Sequence, residues 1–215
     1  LGDVVGYGPN PNECIDLLRD HNAVCVAGNH DRAATGDLDT VQFNPDARAA
    51  CQWTGKMLSR SSRDFLRSLQ SSRLIEGTRL VHGSPRDPIL EYVFNLSIAA
   101  PNFAHIDADD VCFVGHTHVP MIFSCQNFES GPPELEMSLP KQSVKFDLKG
   151  VTSIVNPGSV GQPRDGNHEA AYMIFDPKTK TVTLKRQPYD VLVTQDLMHR
   201  VGLPRGLADR LLHGR

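Results

Sequence analysis

An α/β fold with ligands gathered at strand ends is predicted by three features of this chain. Short apolar runs at 24–27, 80–81, 112–114 and 153–155 run into Gly, Asn or His within a residue or two. Segments with helical spacing lie between several of these runs. Stretches near 151–156, 170–176 and 180–187 alternate apolar and polar positions. Short apolar or β-branched runs closed by glycine read as buried strands, and alternation reads as strands with one wet face. In open α/β sheets the crevice at the carboxyl ends of strands is where ligands bind.

Taken in order, Leu1-Gly2-Asp3 reads as the end of a strand, so a leading β-α-β segment is expected upstream. Pro9-Asn10-Pro11-Asn12 is a turn and cap before a helix over 13–19, which carries Ile15, Leu17 and Leu18. A strand over 23–27 follows, then a loop over 32–44. Asn44 caps a helix over 45–58, and Pro45 fits its first position, where the missing N–H has no intrahelical partner anyway. Ala47, Ala50, Cys51, Thr54 and Leu58 fall on one face of it. A short helix over 62–69 comes next. Two successive helices between ligand-bearing strands predict a cap at about 44–70, a place for substrate selectivity.

Strands are expected at 73–76 and 78–82, a helix at 96–103, and strands near 111–115, 119–124 and 142–148. Residues 125–141, with Gly131-Pro132-Pro133, read as a surface excursion or hairpin loop. The stretches at 151–156, 170–176 and 180–187 predict an antiparallel layer. Helices over 190–201 and 206–212, broken at Gly202-Leu203-Pro204, form an extension over 190–215 behind a domain over 1–190.

Composition narrows the partners. At 215 residues with 40% hydrophobic content the chain supports one sizeable core. A net charge of −3 supplies no basic field for nucleic acid or an anionic membrane. No apolar stretch approaches the ~20 residues of a membrane span. The five cysteines are odd in number and none forms a C-x-x-C pair, so they read as reduced core residues, which points to a cytoplasmic setting.

Asp3, Asn29, His82, His116 and His118 are oxygen and nitrogen donors that follow apparent strands. Such a mixed set suits Mn, Fe, Zn, Ni or Co, and no thiolate set marks a structural zinc. His116 and His118 lie two apart, so in an extended stretch both project to one side, where they can serve two adjacent metals. Asp3 can bridge, because a carboxylate has two oxygens. His30 sits beside Asn29 and faces elsewhere in the cleft, as a proton donor. Asp31 is the nearest acid to orient its imidazole. A single His after a strand is more often structural; the repetition at several strand ends is what carries weight. The glycines of 2–8 have neither dinucleotide nor Walker spacing. The Asn156-Pro157-Gly158-Ser159 turn is a tight strand exit or part of the site wall.

The ordered set Gly2-Asp3, Gly28-Asn29-His30-Asp31, His82 and Gly115-His116-Thr117-His118 resembles the motifs of the calcineurin-like metallophosphoesterases. Residues 2–9 (GDVVGYGP) and 156–165 (NPGSVGQPRD) resemble its small prokaryotic phosphodiesterase branch. The resemblance implies a two-sheet β sandwich flanked by helices, and two divalent metal ions (Mn, Fe, Zn or Ni). It implies that Asp3 bridges them, that Asn29, His82 and His116 complete one site, and that His118 serves the other. It also implies that His30 is the general acid in hydrolysis of a small phosphorylated substrate. The family's Asp-x-His motif belongs to the segment expected upstream. Gly6-Tyr7 and Asp31 stand where the Ser/Thr protein phosphatases carry Asp-Arg and Glu, which argues against that branch. Arg164 and Arg86 are candidates to neutralise phosphoryl charge. The alternative is a non-catalytic scaffold of the same fold that binds proteins; the presence of Asn29, His30, His82, His116 and His118 favours the hydrolase. A nuclease would want a basic groove, and ranks last.

Overall fold

Caps set in the sequence begin two of the helices of the N-terminal half. The computed structural model describes residues 1–107, 110–126, 133–141 and 143–215. Helices α1 (Pro11–Asp20), α2 (Asn29–Thr35), α3 (Pro45–Met57) and α4 (Arg60–Ser68) come first. The Asn44 side chain accepts the Ala47 N–H at 2.9 Å, and Ser59 Oγ accepts the Ser62 N–H at 3.1 Å. Each satisfies a donor that the first helical turn leaves unpaired. The latter part of α2, over 32–35, occupies residues expected to be loop. Asp31 at its third position reaches back to the Gly28 N–H and starts a helix there.

Strands β1 (Ser72–Ile75) and β2 (Thr78–Val81), helix α5 (Leu96–Asn102), and strands β3 (Val111–Phe113), β4 (Pro120–Gln126) and β5 (Glu134–Ser138) follow. Then come β6 (Lys145–Asp147), β7 (Thr152–Pro157), β8 (Ala170–Asp176) and β9 (Thr181–Gln187), and helices α6 (Val191–Arg200) and α7 (Arg205–Asp209). One sheet has the order β1-β2-β3-β7-β4-β5; β6-β9-β8 form a second, antiparallel sheet. The two sheets pack as a sandwich flanked by helices, as expected.

Period-two alternation explains the layers. Val111, Phe113 and Val155 of the larger sheet meet Val182 and Phe175 of the smaller one, with Phe113 and Phe175 edge to face at 5.3 Å. Their neighbours Cys112, Val114 and Ile154 turn the other way, onto Ala99 of α5 and Phe103. Full burial of each such large apolar side chain stabilises the fold by about 1.5–3 kcal/mol.

Four expectations need correction. The antiparallel layer predicted over 151–187 divides: β7 lies inside the larger sheet, parallel to β3 and antiparallel to β4. Its Ile154 and Val155 are both fully buried, one on each face, so it needs cover on both sides. Residues 23–27 form no strand and join no described sheet. Ala23 N–H closes α1 on Leu18, and Ala27 N–H bonds the Gln70 carbonyl at 2.8 Å. The excursion over 125–141 contains β5, which pairs with β4 from Ile122–Ser138 to Gln126–Glu134. Gly131-Pro132 lies outside the described residues. Of the cysteines, Cys51, Cys112 and Cys125 are buried, whereas Cys14 is exposed. Among the described residues no helix is long and apolar enough to cross a membrane.

The fold brings strand ends together. β2, β3 and β7 run parallel and finish side by side, just before His82, Gly115-His116 and Gly158. The Gly115 N–H bonds the His82 carbonyl at 2.8 Å, and Val114 N–H bonds Val155 at 2.9 Å. Asn156 locks this edge. Its Nδ2 donates to the Gly115 carbonyl and to Thr117 Oγ1, and its Oδ1 accepts the Gly158 N–H at 2.9 Å. The side chain is fully buried, so none of these partners has water as a substitute. Asn156→Ala is expected to lower unfolding free energy by about 2–4 kcal/mol. Denaturant titration checks this, and a loss below about 0.5 kcal/mol would contradict the role.

Candidate metal centre

Three imidazoles are fixed by backbone carbonyls. His82 Nδ1 lies 2.8 Å from the Leu1 carbonyl, His116 Nε2 lies 3.2 Å from Leu90, and His118 Nδ1 lies 2.8 Å from Gln162. A neutral imidazole has one N–H, and a carbonyl can only accept, so the proton sits on the nitrogen that faces it. The other nitrogen of each ring is a lone-pair donor, the arrangement typical of metal-binding histidines.

The free nitrogens of two of them face one another. His82 Nε2 is 2.9 Å from His116 Nδ1, 3.0 Å from Asn29 Oδ1 and 3.4 Å from an Asp3 oxygen. Donor atoms of Asp3, His82 and His116 all lie within 4.8 Å of one another. Four acceptors converge, and the carbonyl contacts leave neither imidazole a proton to share. A cation satisfies all four, and this N/O donor set fits a borderline divalent ion.

Burial sets the charges. It raises the Asp3 carboxyl to about 7, although the His30 backbone N–H pulls the other way. It lowers His82 to about 4, and His116 and His118 to about 3. The Asp3–His82 contact is therefore no ordinary ion pair: burial disfavours the charged form of each partner. A divalent ion reverses the balance for Asp3, favouring its carboxylate, and favours the neutral rings.

Backbone strain is concentrated here. Asp3, His116 and His118 have φ of 51°, 65° and 61°, a left-handed region that L-residues seldom occupy. Each such residue costs about 1–2 kcal/mol, which its surroundings must offset. The extended geometry expected of 116–118 is consequently absent. Asn156 holds Gly115 and Thr117 in a bend, and His116 turns to His82. His118 stands outside the tight trio, edge-on to Tyr7 at 6.2 Å, yet lines the same cavity of about 860 Å³ as Asp3, His82 and His116. Close approach requires a glycine at 28: a Cβ there would meet Asp3 Oδ1 at 2.1 Å.

His30 lies beside this cluster, buried between Tyr7 (4.2 Å) and Phe43 (5.0 Å). Its backbone N–H bonds Asp3 at 2.9 Å. Asp31 does not orient its imidazole. The two Asp31 oxygens accept the Val5 N–H at 3.1 Å and the Gly28 N–H at 2.9 Å, tying the first loop to the start of α2. The physical reason is position: the third residue of a helix points its carboxylate back at the cap. His30 Nδ1 faces Cys51 Sγ instead, at 3.1 Å. Cys51 sits on the apolar face of α3, where nothing in the sequence separates it from a core residue.

The two candidate arginines part company. Arg86 pairs with Glu91 at the surface. Arg164 stays in the cleft, with Nη2 3.2 Å from the Tyr7 hydroxyl and its guanidinium 5.6 Å from that ring centre. Its N–H bonds the His118 carbonyl at 3.1 Å. Tyr92, unmarked in the sequence, stacks on His116 at 3.6 Å.

Comparison with known proteins agrees with this chemistry. A family model for the calcineurin-like phosphoesterase superfamily domain matches residues 1–180. The chain is 36% identical over 222 residues to the uncharacterized protein MJ0912 of Methanocaldococcus jannaschii, covering all of this chain and 85% of that one. It is similar to a metallophosphoesterase crystal structure from Sphaerobacter thermophilus, with TM-score 0.87 and 42% identity over 100% of this chain and 87% of that one. Hypothetical protein PH1004 from Pyrococcus horikoshii OT3 shares the fold, with TM-score 0.76 at 19% identity over 100% of this chain and 83% of that one. The chain thus belongs to the calcineurin-like phosphoesterase superfamily, metal-dependent hydrolases of phosphoric esters.

Proposed function

We propose that this protein hydrolyses a small phosphodiester or phosphomonoester at a centre of two divalent cations. Asp3, Asn29, His82 and His116 hold one ion, and His118 with Asp3 holds the other. The observation that carries the reading is the meeting of His82 Nε2, His116 Nδ1, Asn29 Oδ1 and an Asp3 oxygen, with the ring protons of both imidazoles turned to backbone carbonyls. When bound, such ions act as Lewis acids on phosphoryl oxygen and acidify water.

The chain's own groups do the remainder. The carbonyls of Leu1, Leu90 and Gln162 keep the three imidazoles in their binding tautomers. Arg164 supplies positive charge for the phosphorylated substrate on the His118 side of the cleft. Burial between Tyr7 and Phe43 lowers His30 to about 2, so its ring rests neutral; it serves the departing alkoxide as an acid once the anionic substrate beside it favours the charged imidazolium. Residues 44–70 act as a cap on this side of the cleft, through Cys51 at His30. Residues 1–190 form the catalytic domain, with a helical extension behind it. Manganese and a phosphodiester are the first pair to test, on the donor set and on the two motifs at 2–9 and 156–165. The net charge of −3 and the five free cysteines support a cytoplasmic enzyme that engages neither nucleic acid nor membranes.

Loaded with Mn and freed of excess metal, the protein is expected to retain two ions by elemental analysis, and His116→Ala to lose at least one. Chelation should abolish hydrolysis of bis-nitrophenyl phosphate, and Mn should restore it; full activity in chelator would refute the metal reading. His30→Ala should reduce turnover of esters with alkyl leaving groups by about 10²–10⁴-fold. Nitrophenyl esters, whose leaving group needs no proton, should lose far less. Equal losses on both substrates would remove His30 from the acid role.

A further inference from the structure

We propose that Arg164 and Arg210 form a second anion site beside the metal centre, one that holds a non-scissile phosphate of the substrate. It rests on the hydrolase reading for what happens to the scissile phosphate. The anion site itself stands on separate observations.

Gln162 Oε1 accepts from Arg164 at 2.8 Å (Nη2) and 3.2 Å (Nε), and from Arg210 Nη1 at 3.4 Å. Two guanidinium groups thus share one neutral oxygen. Neither has a carboxylate partner among the described residues. The adjacent Asp165 is committed to Arg186 in a buried pair. Gln162 is 3% exposed, and its Nε2 has no hydrogen-bond partner among the described residues. A guanidinium carries five N–H donors and an amide nitrogen two, whereas the acceptors here are one amide oxygen and the Tyr7 and Tyr92 hydroxyls. Donors exceed acceptors, and two like charges stand together with no carboxylate in salt-bridge contact among the described residues; Asp3 of the metal cluster acts on Arg164 only from a longer range. The group that completes such a set is an anion with several oxygens, and phosphate matches the guanidinium fork.

Its position couples it to the reaction. The Gln162 carbonyl fixes His118, the Arg164 N–H bonds the His118 carbonyl, and Tyr7 flanks His30. The site is therefore continuous with the His118 side of the cleft. Arg210 belongs to the 3-10 turn Arg210–His213, beyond the residues 1–180 matched by the family model. The extension, and not the shared core, supplies the second charge. The substrate class is then a phosphate ester that bears a further phosphoryl group, as a pyrophosphate or a bisphosphate.

Calorimetric titration of the full chain with inorganic phosphate and pyrophosphate, with and without divalent metal, tests this. Pyrophosphate should bind more tightly than phosphate. Arg210→Ala should weaken pyrophosphate about tenfold or more, the scale of one lost charge-assisted contact, and Arg210→Lys should recover part of the loss. Leu207, Ala208 and Leu211 anchor the extension, so Arg210→Ala should keep the wild-type melting temperature. In kinetics, the preference for a two-phosphate over a one-phosphate ester should fall by a similar factor. Pyrophosphate binding within twofold of wild type in Arg210→Ala would overturn the proposal. Tight binding that depends on Arg210, in a protein that hydrolyses no ester, would uphold the anion site and refute the hydrolase reading instead.

Discussion

The arrangement of this molecule depends on one electrostatic constraint: two buried imidazole nitrogens at the strand ends face each other while their ring hydrogens are held by backbone carbonyls. Leu1 and Leu90 carbonyls claim the ring protons of His82 and His116, so the opposite nitrogens confront each other at 2.9 Å. In low dielectric an unpaired polar group costs more than in water. Adding the Asn29 and Asp3 oxygens increases the mismatch. A divalent cation removes it in one step, so metal binding and site stability are linked.

The fold serves that constraint. Parallel strands β2, β3 and β7 deliver their carboxyl ends to one edge. Asn156 ties β7 to the 115–117 bend, which allows His116 to hold a left-handed backbone. Asp31 does the corresponding work on the other side, joining Val5 and Gly28 so that Asp3 and Asn29 approach. Strain at Asp3, His116 and His118 is offset by these buried hydrogen bonds. Such concentration of strain is common where geometry matters to chemistry.

Much of this was legible in the sequence because it is local. Asn44 and Pro45 announce α3, alternation announces β8 and β9, and the Gly-Asn-His-Asp and Gly-His-Thr-His motifs mark the site by residue type. What the sequence concealed is non-local. Whether residues 23–27 become a strand depends on a neighbour to pair with. The sequence does not separate β7 from the antiparallel layer, because buried and alternating strands differ only in what covers them. β5 is hidden in the sequence by the exposed Glu134 and Glu136, which alternate with Leu135 and Met137. The environment of His30 is non-local for the same reason: adjacency in the chain points to Asp31, whereas helix geometry sends that carboxylate backward and Cys51 arrives from another helix. Gln162 and Arg210 meet across 48 positions, which no local pattern encodes.

The most direct test is anomalous diffraction from a crystal of this protein soaked in Mn, recorded at the metal's absorption edge. The account predicts a peak within about 2.3 Å of His82 Nε2, His116 Nδ1, Asn29 Oδ1 and an Asp3 oxygen. A fully soaked crystal whose anomalous peaks all lie away from these four atoms would contradict it.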